Sequence, residues 1–566
     1  MVDEDWRRKG IATALFDESK AFADSEGFTT LTLGTKKGSD ACYFYDSLRP
    51  STKDSNAHLV KYTWFLSKGL PTTQVTEKRK REPRHHKPHN ILEYAAPELE
   101  RLAKTGGAEL AMACVVTSKK ATFWSNQSTS RYSNQLVFGI ASLSKIFTKM
   151  ALQLCVEKGL LTWDDPISKH LSIDPESDLG RKSIFQVAFN NGTPYMNDGI
   201  LGPDASPILS MEDLLPVAQN YHEKSRGIQA SIEYSNANSP LLAECIAQVT
   251  GKPFPMVVKE YILIPLGMNS TCVTKDDLDK IPQHQQGPHM RYFDNVCVPA
   301  MGFCSTVEDL ARLFKAMLAP KQRELITRLK RKPQLHVDFF SPAKDCKGFA
   351  YSLFGTRFPP GTDIGRMSRN SWLSPAAERD RTNSYPRPLQ GCTGAINGFD
   401  SSVFFLPDIE TVILCAASTK SLVDNAYPIA VRLLQQLLPD PVSPDMAQIA
   451  SDIKRYEEIA LSRGRYPARL PPLSGSFVCD ELRQRFDFEE NEYRVTLSGR
   501  VVLEYQWVYT EDAIELVPSP PSLEWSRSWK NKILEVTREG EGEGEGEVTG
   551  LIRMCWNGIM WKYKRT

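Results

Sequence analysis

The sequence predicts an α+β multidomain protein in which a central antiparallel sheet is flanked by helices and accompanied by an all-helical region. A partial α/β unit precedes this domain and a small all-β barrel follows it. Three changes in pattern along the 566 residues lead to the prediction. A helix-and-strand pattern occupies 1–75, helical and strand-like runs alternate over 92–440, and short alternating segments fill 441–566. A basic linker is expected at 76–91.

Composition and charge argue against several functional classes. The 69 Lys and Arg residues nearly balance the 68 Asp and Glu residues, so no strong field favours nucleic acid or an anionic membrane as a partner. The 12 cysteines include no C-x-x-C pair, the first residues show no signal-peptide pattern, and no apolar run reaches about 18 residues. We therefore expect a cytoplasmic protein that acts on a small molecule and uses neither a metal nor a cofactor.

The N-terminal part has a signature of its own. Arg7-x-x-Gly10-x-Ala12 leads into an amphipathic helix through Leu15 to Phe22, and a strand is expected at Thr29 to Leu33. This segment resembles the second half of GNAT-family N-acetyltransferases, and the resemblance implies that Arg7, Gly10 and Ala12 hold the pyrophosphate of acetyl-CoA at a helix N-terminus. The first half of that fold would lie before the first residue. We therefore expect a remnant or a fusion rather than an active acetyltransferase.

The linker at 76–91 is rich in basic residues and prolines. Lys78 to Arg81 can be read as a nuclear signal, and His85, His86 and His89 as a metal cluster. A solvated linker is the interpretation we prefer, because the charged run contains no apolar residue that could pack.

The central domain opens with a helix from Ile91 that is expected to end at Gly106 as its C-cap. Strand-like runs follow at Leu110 to Val116 and Ala121 to Ser125. The apolar run Leu136 to Ile140 then precedes a helix that is apolar on much of its circumference, which is typical of a central element. Such an order predicts a sheet covered by helices.

Ser142 and Lys145 stand at the start of that central helix. A serine hydroxyl attacks carbonyls poorly unless a nearby base takes its proton. Lys145 is one helical turn away on the same face, and burial would lower its pKa so that a neutral amine could be that base. The alternative interpretation is a helix N-cap serine beside a surface lysine.

Two other serines satisfy the same Ser-x-x-Lys spacing and are interpreted as structural. Ser341 and Lys344 are separated by Pro342, which disfavours helical geometry at the serine. Ser451 and Lys454 belong to a segment whose charges are typical of a solvated helix.

A second catalytic element is predicted at Tyr234-Ser235-Asn236, just ahead of an amphipathic helix. A tyrosine here could take the serine proton and pass it to a leaving group if the Lys145 ammonium lowers its pKa. A helix-capping Ser235 or Asn236 beside a packed tyrosine is the alternative. Tyr132 and Tyr195 begin similar tripeptides and are less favoured.

The third element is expected to be an edge strand that offers a backbone amide to a reacting oxyanion. The run from Gly391 to Phe399, followed by a hairpin, is the better candidate, because a glycine at 394 lets substrate approach the backbone closely. Lys104-Thr105-Gly106 has similar letters but lies at a helix end.

In this order the three elements resemble the serine β-lactamase and penicillin-binding-protein superfamily, closest to its class C and esterase-like branch. The resemblance covers about 92–440. It implies that Ser142 is the acylated nucleophile and that Lys145 and Tyr234 transfer protons. It also implies an oxyanion hole made by the amides of Ser142 and Ala395. The implied substrate-binding residues are Asn236, Cys392, Thr393, Gly394 and Ala395.

Two positions depart from the superfamily pattern. Cys392 stands where relatives carry Lys or His, so a cation for a substrate carboxylate or a hydrogen-bonding imidazole is missing. The usual His-x-Ser-Gly segment is not recognisable, and Phe189-Asn190-Asn191-Gly192 occupies roughly its place. These departures concern the identity of the substrate more than the acylation step.

The C-terminal part, 441–566, begins with a charged helix at Pro444 to Arg463. Short alternating segments such as Tyr493 to Leu497 and Val501 to Tyr505 then predict a small antiparallel barrel or sandwich. This part resembles the lipocalin-like tail domain of many β-lactamase-related hydrolases. The Gly and Glu alternation at Gly540 to Glu547 is expected to form a loop.

The function predicted from these elements is a serine hydrolase that acts on an amide, lactam or ester through an acyl-Ser142 intermediate. An acyltransferase of a small secondary metabolite, using the same acyl-enzyme, is the nearest alternative. An inactive scaffold of the same fold and residual acetyl-CoA-dependent N-acetyltransferase activity also remain open. The sequence makes no prediction of the oligomeric state.

Overall fold

The structure is a computed structural model of the chain. The residues that it describes are 30–36, 52–55, 59–65, 90–127, 133–190, 192–202, 208–225, 234–288, 290, 296–318, 350–352, 355–358, 367, 389–396, 398–418, 423–437, 472–499, 501–507, 513–517, 533–539, 547–554 and 559–566.

The chain divides into two compact units, and the first contains a three-stranded antiparallel sheet. Its strands are β1 (Thr30–Lys36), β2 (Thr52–Ser55) and β3 (Leu59–Phe65), and β3 lies in the middle. The strand predicted from Thr29 is therefore present as β1. The other N-terminal predictions lie outside the described residues, namely the preceding helix, Arg7, Gly10 and Ala12.

The second unit contains helices on both sides of a sheet. Its α-helices within the described residues are α1 (Ile91–Gly106), α2 (Ser144–Glu157), α3 (Ile184–Ala188), α4 (Asn197–Ile200), α5 (Met211–Lys224), α6 (Asn238–Thr250), α7 (Phe254–Val258), α8 (Ile264–Leu266), α9 (Lys275–Asp279), α10 (Val307–Met317) and α11 (Ala426–Leu437). Turns of π-helix occur at Lys259–Leu263 and Val298–Gly302.

Local chemistry explains where several of these helices begin and end. The Ser183 side chain and the Gln186 side chain cap each other's backbone amides at the start of α3, and Ser210 caps α5. Helix α1 ends at Gly107, which adopts the left-handed conformation, one residue beyond the predicted cap at Gly106. Gly106 instead packs against Asn425, whose side-chain amide donates to the Gly106 carbonyl.

The central sheet of this unit is antiparallel throughout and has the strand order β5-β4-β12-β11-β10-β9-β8. Helices α1 and α11 contact each other, with α11 against β11 and β12, while α10 contacts β4. All residues of β11 and β12 are buried, so the sheet is covered. The predicted helix-covered antiparallel sheet is confirmed. The expected edge position of β10 is wrong, because β9 pairs with its first residues, Leu389 to Gly391. The strands of the sheet are β4 (Leu110–Thr117), β5 (Ala121–Ser125), β8 (Ala350–Ser352), β9 (Gly355–Phe358), β10 (Leu389–Ile396), β11 (Phe399–Leu406) and β12 (Thr411–Ser418).

Helix α2 runs through the interior of this domain. Most of its side chains are buried, including Ile146, Phe147 and Leu152. The predicted strand from Leu136 is shorter than expected: β6 (Phe138–Gly139) pairs with β7 (Cys304–Ser305), and Val137 before it forms a single bridge with Gln286. Burial of α2 and this small sheet fix the start of the helix in the core.

The C-terminal strands form a closed eight-stranded barrel, so the barrel alternative is confirmed over the sandwich. Each strand pairs antiparallel with its neighbour, and the last strand pairs with the first. Its interior holds aromatic side chains such as Phe477 and Trp561. The relationship to lipocalins stays a prediction. The strands are β13 (Gly475–Cys479), β14 (Gln484–Phe488), β15 (Arg494–Leu497), β16 (Val501–Trp507), β17 (Ala513–Val517), β18 (Ile533–Glu539), β19 (Glu547–Met554) and β20 (Met560–Arg565).

Two elements predicted in the C-terminal part fall on residues that the structure does not describe. The charged helix from Pro444 and most of the loop from Gly540 lie outside the described residues.

Among the helices in the described ranges, none has the length and apolar character needed to span a bilayer.

Candidate active site

Ser142 lies in a tight turn of 3₁₀-helix, Ala141–Leu143, that leads directly into α2. Ala141 has a positive φ of 46°, which is uncommon for a residue with a side chain and marks local strain. The Ser144 hydroxyl holds this turn in place, because its Oγ donates to the Ala141 carbonyl (2.7 Å) and accepts from the Phe303 amide (3.1 Å).

The three predicted catalytic side chains come together around the Ser142 hydroxyl. Tyr234 Oη lies 2.5 Å from Ser142 Oγ, although the residues are 92 positions apart in the chain. Lys145 Nζ lies 3.1 Å from the same oxygen. The serine therefore has both an amine and a phenol within hydrogen-bond reach, which is the geometry that proton transfer requires.

Lys145 has two more oxygen neighbours. Its amine donates to Asn236 Oδ1 at 2.7 Å and to the Ala300 carbonyl at 2.9 Å. Desolvation lowers the pKa of Lys145 to about 7, while the thiols of Cys392 and Cys297 oppose this when charged. Burial raises the pKa of both thiols, so they are uncharged near neutral pH. A substantial fraction of Lys145 is then a neutral amine at neutral pH.

The pKa of Tyr234 moves in the direction opposite to the sequence expectation. Burial raises the pKa of its phenol well above the ordinary value, and the hydrogen bond with Ser142 opposes this. Lys145 Nζ lies 4.8 Å from the ring centroid. Because the phenol stays protonated near neutral pH, Tyr234 is suited to donate a proton, and Lys145 is the better base.

The loop that carries Tyr234 is hydrogen-bonded to residues on either side of Tyr195. The Asn236 amide donates to Asn197 Oδ1 (3.2 Å), and the Thr193 hydroxyl donates to Ser235 Oγ (2.8 Å). A Cβ atom on Gly192 would lie 2.5 Å from Asn238 Oδ1, so Gly192 packs closely against the start of α6. These contacts hold the tyrosine loop in place.

Strand β10 passes directly beside the nucleophile turn. A Cβ atom added to Gly394 would lie 2.7 Å from the Ile140 carbonyl and 3.0 Å from the Ser142 amide nitrogen. Ser401 lies on β11 and pairs with Gly394 of β10. Its Oγ donates to the same Ile140 carbonyl at 3.3 Å. A glycine is required at 394 because the two backbones approach so closely.

The other predicted substrate-binding residues lie along β10 beside this contact. Cys392 and Thr393 are half-buried, and Ala395 is exposed. The Thr393 hydroxyl donates to the Met367 carbonyl at 3.0 Å. Burial raises the pKa of Cys392, whereas Lys145 and Lys149 lower it, and the net rise leaves a neutral thiol at this position near neutral pH.

Lys149 is a residue of this region that the sequence interpretation did not single out. It lies one turn beyond Lys145 on α2, is 8% exposed, and places Nζ 5.3 Å from the Phe189 ring centroid. Burial and the neighbouring Lys145 amine lower its pKa to about 8. Its i,i+4 spacing from Lys145 on an apolar helix was the available signal.

Two of the alternative patterns fall on described residues. Lys104 to Gly106 form the C-terminal end of α1, as expected. Tyr195 lies between Thr193 and α4. The remaining alternatives lie outside the described residues, namely Tyr132, the Ser341 pattern and the Ser451 pattern. No group of three His, Cys, Asp or Glu side chains in the described ranges is placed to hold a metal ion.

The amino-acid sequence around this site matches a model of a known protein family. Residues 99–437, more than half of the chain, match the model described as Beta-lactamase. This range contains every residue of the site described above.

Two relatives match parts of the chain. A penicillin-binding protein of Bacillus subtilis (strain 168) is 30% identical over 143 residues, which are 24% of this chain and 30% of that protein. A beta-lactamase of Yersinia enterocolitica is 23% identical over 324 residues, 52% of this chain and 76% of that protein. The chain thus spans less than a third of the length of the Bacillus relative.

Solved structures show weaker likenesses. The octameric penicillin-binding protein homologue from Pyrococcus abyssi has a TM-score of 0.46 and 16% identity, covering 84% of this chain and 100% of that chain. A class C beta lactamase from Rhodobacter sphaeroides has a TM-score of 0.43 and 16% identity, covering 66% and 99%. Likenesses of this strength support no conclusion about activity or assembly.

Proposed function

Since this chain belongs to the β-lactamase family, we propose that it is a serine acyl hydrolase that cleaves an amide, lactam or ester through an acyl-Ser142 intermediate. The observation that carries this proposal is the placement of Lys145 Nζ and Tyr234 Oη at 3.1 Å and 2.5 Å from Ser142 Oγ. A serine nucleophile needs a base in reach, and a buried lysine with a pKa of about 7 can be that base.

Acylation begins with attack of Ser142 Oγ on the substrate carbonyl carbon. The hydroxyl proton moves to the neutral Lys145 amine, and the carbonyl oxygen becomes an oxyanion that the amides of Ser142 and Ala395 stabilise. The bond to the leaving group then breaks. Tyr234 donates its proton to the leaving atom and recovers one from the Lys145 ammonium, so the acyl-enzyme forms with all protons balanced.

Deacylation returns the enzyme to its starting state. Water attacks the ester carbon of acyl-Ser142, and one of its protons passes to the neutral Lys145 amine. The ester bond breaks, Ser142 Oγ regains a proton, and a carboxylic acid leaves. The same two groups serve both halves of the reaction, as microscopic reversibility of proton transfer allows.

The proposed substrate carries no carboxylate where it meets Cys392. A carboxylate is recognised by a cationic or strongly donating group, and the Cys392 thiol is neutral and a weak donor. Asn236 supplies an amide for a polar acyl group, although its Oδ1 already accepts from Lys145. A neutral ester or lactam therefore fits this border of the site best.

Covalent labelling tests the proposal. Incubation with a fluorescent fluorophosphonate or a fluorescent penicillin should mark the wild-type protein on a gel, and Ser142→Ala should remove the mark. Hydrolysis of a model ester by the same two proteins should follow the labelling. Equal ester hydrolysis by Ser142→Ala would contradict the proposal, because the reaction would then not depend on the Ser142 hydroxyl.

A further inference from the structure

The C-terminal barrel docks on helix α5 of the catalytic domain through a buried aromatic contact. The rings of Tyr221 on α5 and Trp561 on β20 have centroids 4.7 Å apart, and both side chains are fully buried. Beside this contact, Lys224 Nζ lies 4.2 Å from the centroid of the Trp561 ring and forms an ion pair with Glu481 Oε2 at 2.8 Å. The barrel and the catalytic domain thus share an ordered boundary.

Gln484 of the barrel crosses this boundary with a buried hydrogen bond. The residue is 1% exposed, and its Nε2 donates to the Gly199 carbonyl of α4 at 2.6 Å. Its Oε1 accepts from Tyr563 Oη at 2.9 Å. The amide orientation follows from chemistry, because a backbone carbonyl can only accept. A buried hydrogen bond of this kind fixes the position of both partners.

Gly199 belongs to a single helical turn that also contacts the catalytic loop. Helix α4 begins at Asn197, whose Oδ1 accepts from the Asn236 amide, and Asn236 Oδ1 in turn accepts from Lys145. The turn is closed by a hydrogen bond from the Leu201 amide to the Asn197 carbonyl. A shift of Gly199 must therefore move Asn197.

Helix α5 holds the same turn from a second side. A Cβ atom on Gly199 would lie 2.6 Å from Tyr221 Oη, so the glycine backbone is packed directly against the tyrosine that contacts Trp561. Two features of the barrel, Gln484 and Trp561, thus converge on one glycine.

We propose that Gln484 is a positioning residue for the acylation site, and that the barrel sets the placement of Lys145 through Gly199, Asn197 and Asn236. This inference rests on the proposed acylation of Ser142. Removal of the Gln484 amide leaves the Gly199 carbonyl without this donor and frees α4 to shift. Asn236 then aligns less well with Lys145, and an acceptor that favours the ammonium is weakened.

The experiment compares the full-length wild type with Gln484→Met, which keeps the side-chain length and removes both the donor to the Gly199 carbonyl and the acceptor of the Tyr563 hydroxyl. The matched control is Glu481→Gln, which breaks the ion pair with Lys224 at the same boundary and leaves the contact of Lys224 with the Trp561 ring in place. Asn197→Ala interrupts the path at its other end. The rate of fluorophosphonate labelling is measured against pH for each variant and for the double variant Gln484→Met with Asn197→Ala.

We expect Gln484→Met to label about tenfold more slowly, and the midpoint of its pH profile to move to more acid values, because Lys145 loses its proton more readily. A partly unfolded sample would lower the amplitude of labelling without moving that midpoint. Asn197→Ala should shift the midpoint in the same direction, and the double variant should be no worse than the single ones. Glu481→Gln should match the wild type.

A Gln484→Met protein with the wild-type rate and midpoint would overturn the inference, as would additive effects in the double variant. If Gln484→Met does not fold, the midpoint of Asn197→Ala decides, and an unchanged midpoint overturns the path. Absence of labelling in the wild type would instead defeat the proposed function itself, so the two failures are distinguishable.

Discussion

The amine of Lys145 is surrounded by three oxygen atoms and yet has a pKa of about 7. Burial destabilises the ammonium more than these dipoles stabilise it. A neutral amine keeps two N–H bonds, and the two shorter contacts are to Asn236 Oδ1 and the Ala300 carbonyl. The lone pair is then left for the Ser142 hydroxyl, so the base is ready before substrate arrives.

The pH dependence of acylation follows from this ionisation. We expect the labelling rate to rise with pH through a midpoint of about 7, because only deprotonated Lys145 is a base. The rate should stay level at mildly alkaline pH, since burial keeps the pKa of Tyr234 above its ordinary value. Rapid-mixing measurement of labelling checks this. A midpoint near the ordinary lysine pKa of about 10.4 would show that Lys145 is not desolvated.

The role of Tyr234 is tested by changing the leaving group. Tyr234→Phe removes the phenolic proton donor, and we expect ester cleavage to fall about a hundredfold for a poor leaving group such as an alkoxide. A nitrophenolate needs no proton, so its release should fall much less. Steady-state kinetics with both esters gives the comparison. An equal loss with both substrates would assign Tyr234 to another role.

The neutral thiol at 392 predicts a change in substrate preference. We expect Cys392→Lys to favour a substrate with a carboxylate at that border over its methyl ester by about tenfold more than the wild type does, because a charge-assisted hydrogen bond becomes available. The ratio of kcat/KM for the two compounds measures this. Cys392→Ser, which adds no charge, is the control and should leave the ratio unchanged.

At the scale of elements, catalysis depends on how closely β10 approaches the nucleophile turn. Gly394→Ala places a methyl group 2.6 Å from Ser401 Oγ and 2.7 Å from the Ile140 carbonyl, so the strand must shift. We expect acylation to fall at least tenfold, because an oxyanion donor is displaced. Gly499→Ala, in an open barrel turn, controls for lost backbone freedom and should keep the wild-type rate. Full activity of Gly394→Ala would contradict this geometry.

The sequence predicted those elements in which side-chain pattern and backbone geometry agree. The apolar helix after Ser142, the strands β4 and β5 and the hairpin after Gly394 were predicted, because burial imposes periodic apolar residues. The strands β8 and β9 were not predicted. The turn Val298–Gly302 was not, although Ala300 bonds Lys145, because a backbone carbonyl can come from any residue type. The same limit hid the contact of Gln484 with Gly199.

At the scale of the whole molecule, the catalytic domain and the barrel are joined by contacts that the sequence pattern of neither domain predicts. Tyr221 and Trp561 each read as ordinary core residues of their own domain, and only the three-dimensional structure shows that they pack on each other. The hydrogen bond from the Thr193 amide to Asn238 Oδ1 is similar, since it joins residues 45 positions apart in the chain. Pairings between distant segments are where sequence pattern carries least information.

The central claim is that Ser142 forms a covalent acyl intermediate with the help of Lys145. Intact-protein mass spectrometry after brief exposure to a neutral activated ester, followed by peptide mapping, tests it directly. We expect a single acyl adduct on the peptide that contains Ser142, and this adduct should decay as water hydrolyses the acyl ester. No adduct should form on Lys145→Met within the same time. An adduct on another residue, or an equal adduct on Lys145→Met, would contradict the mechanism.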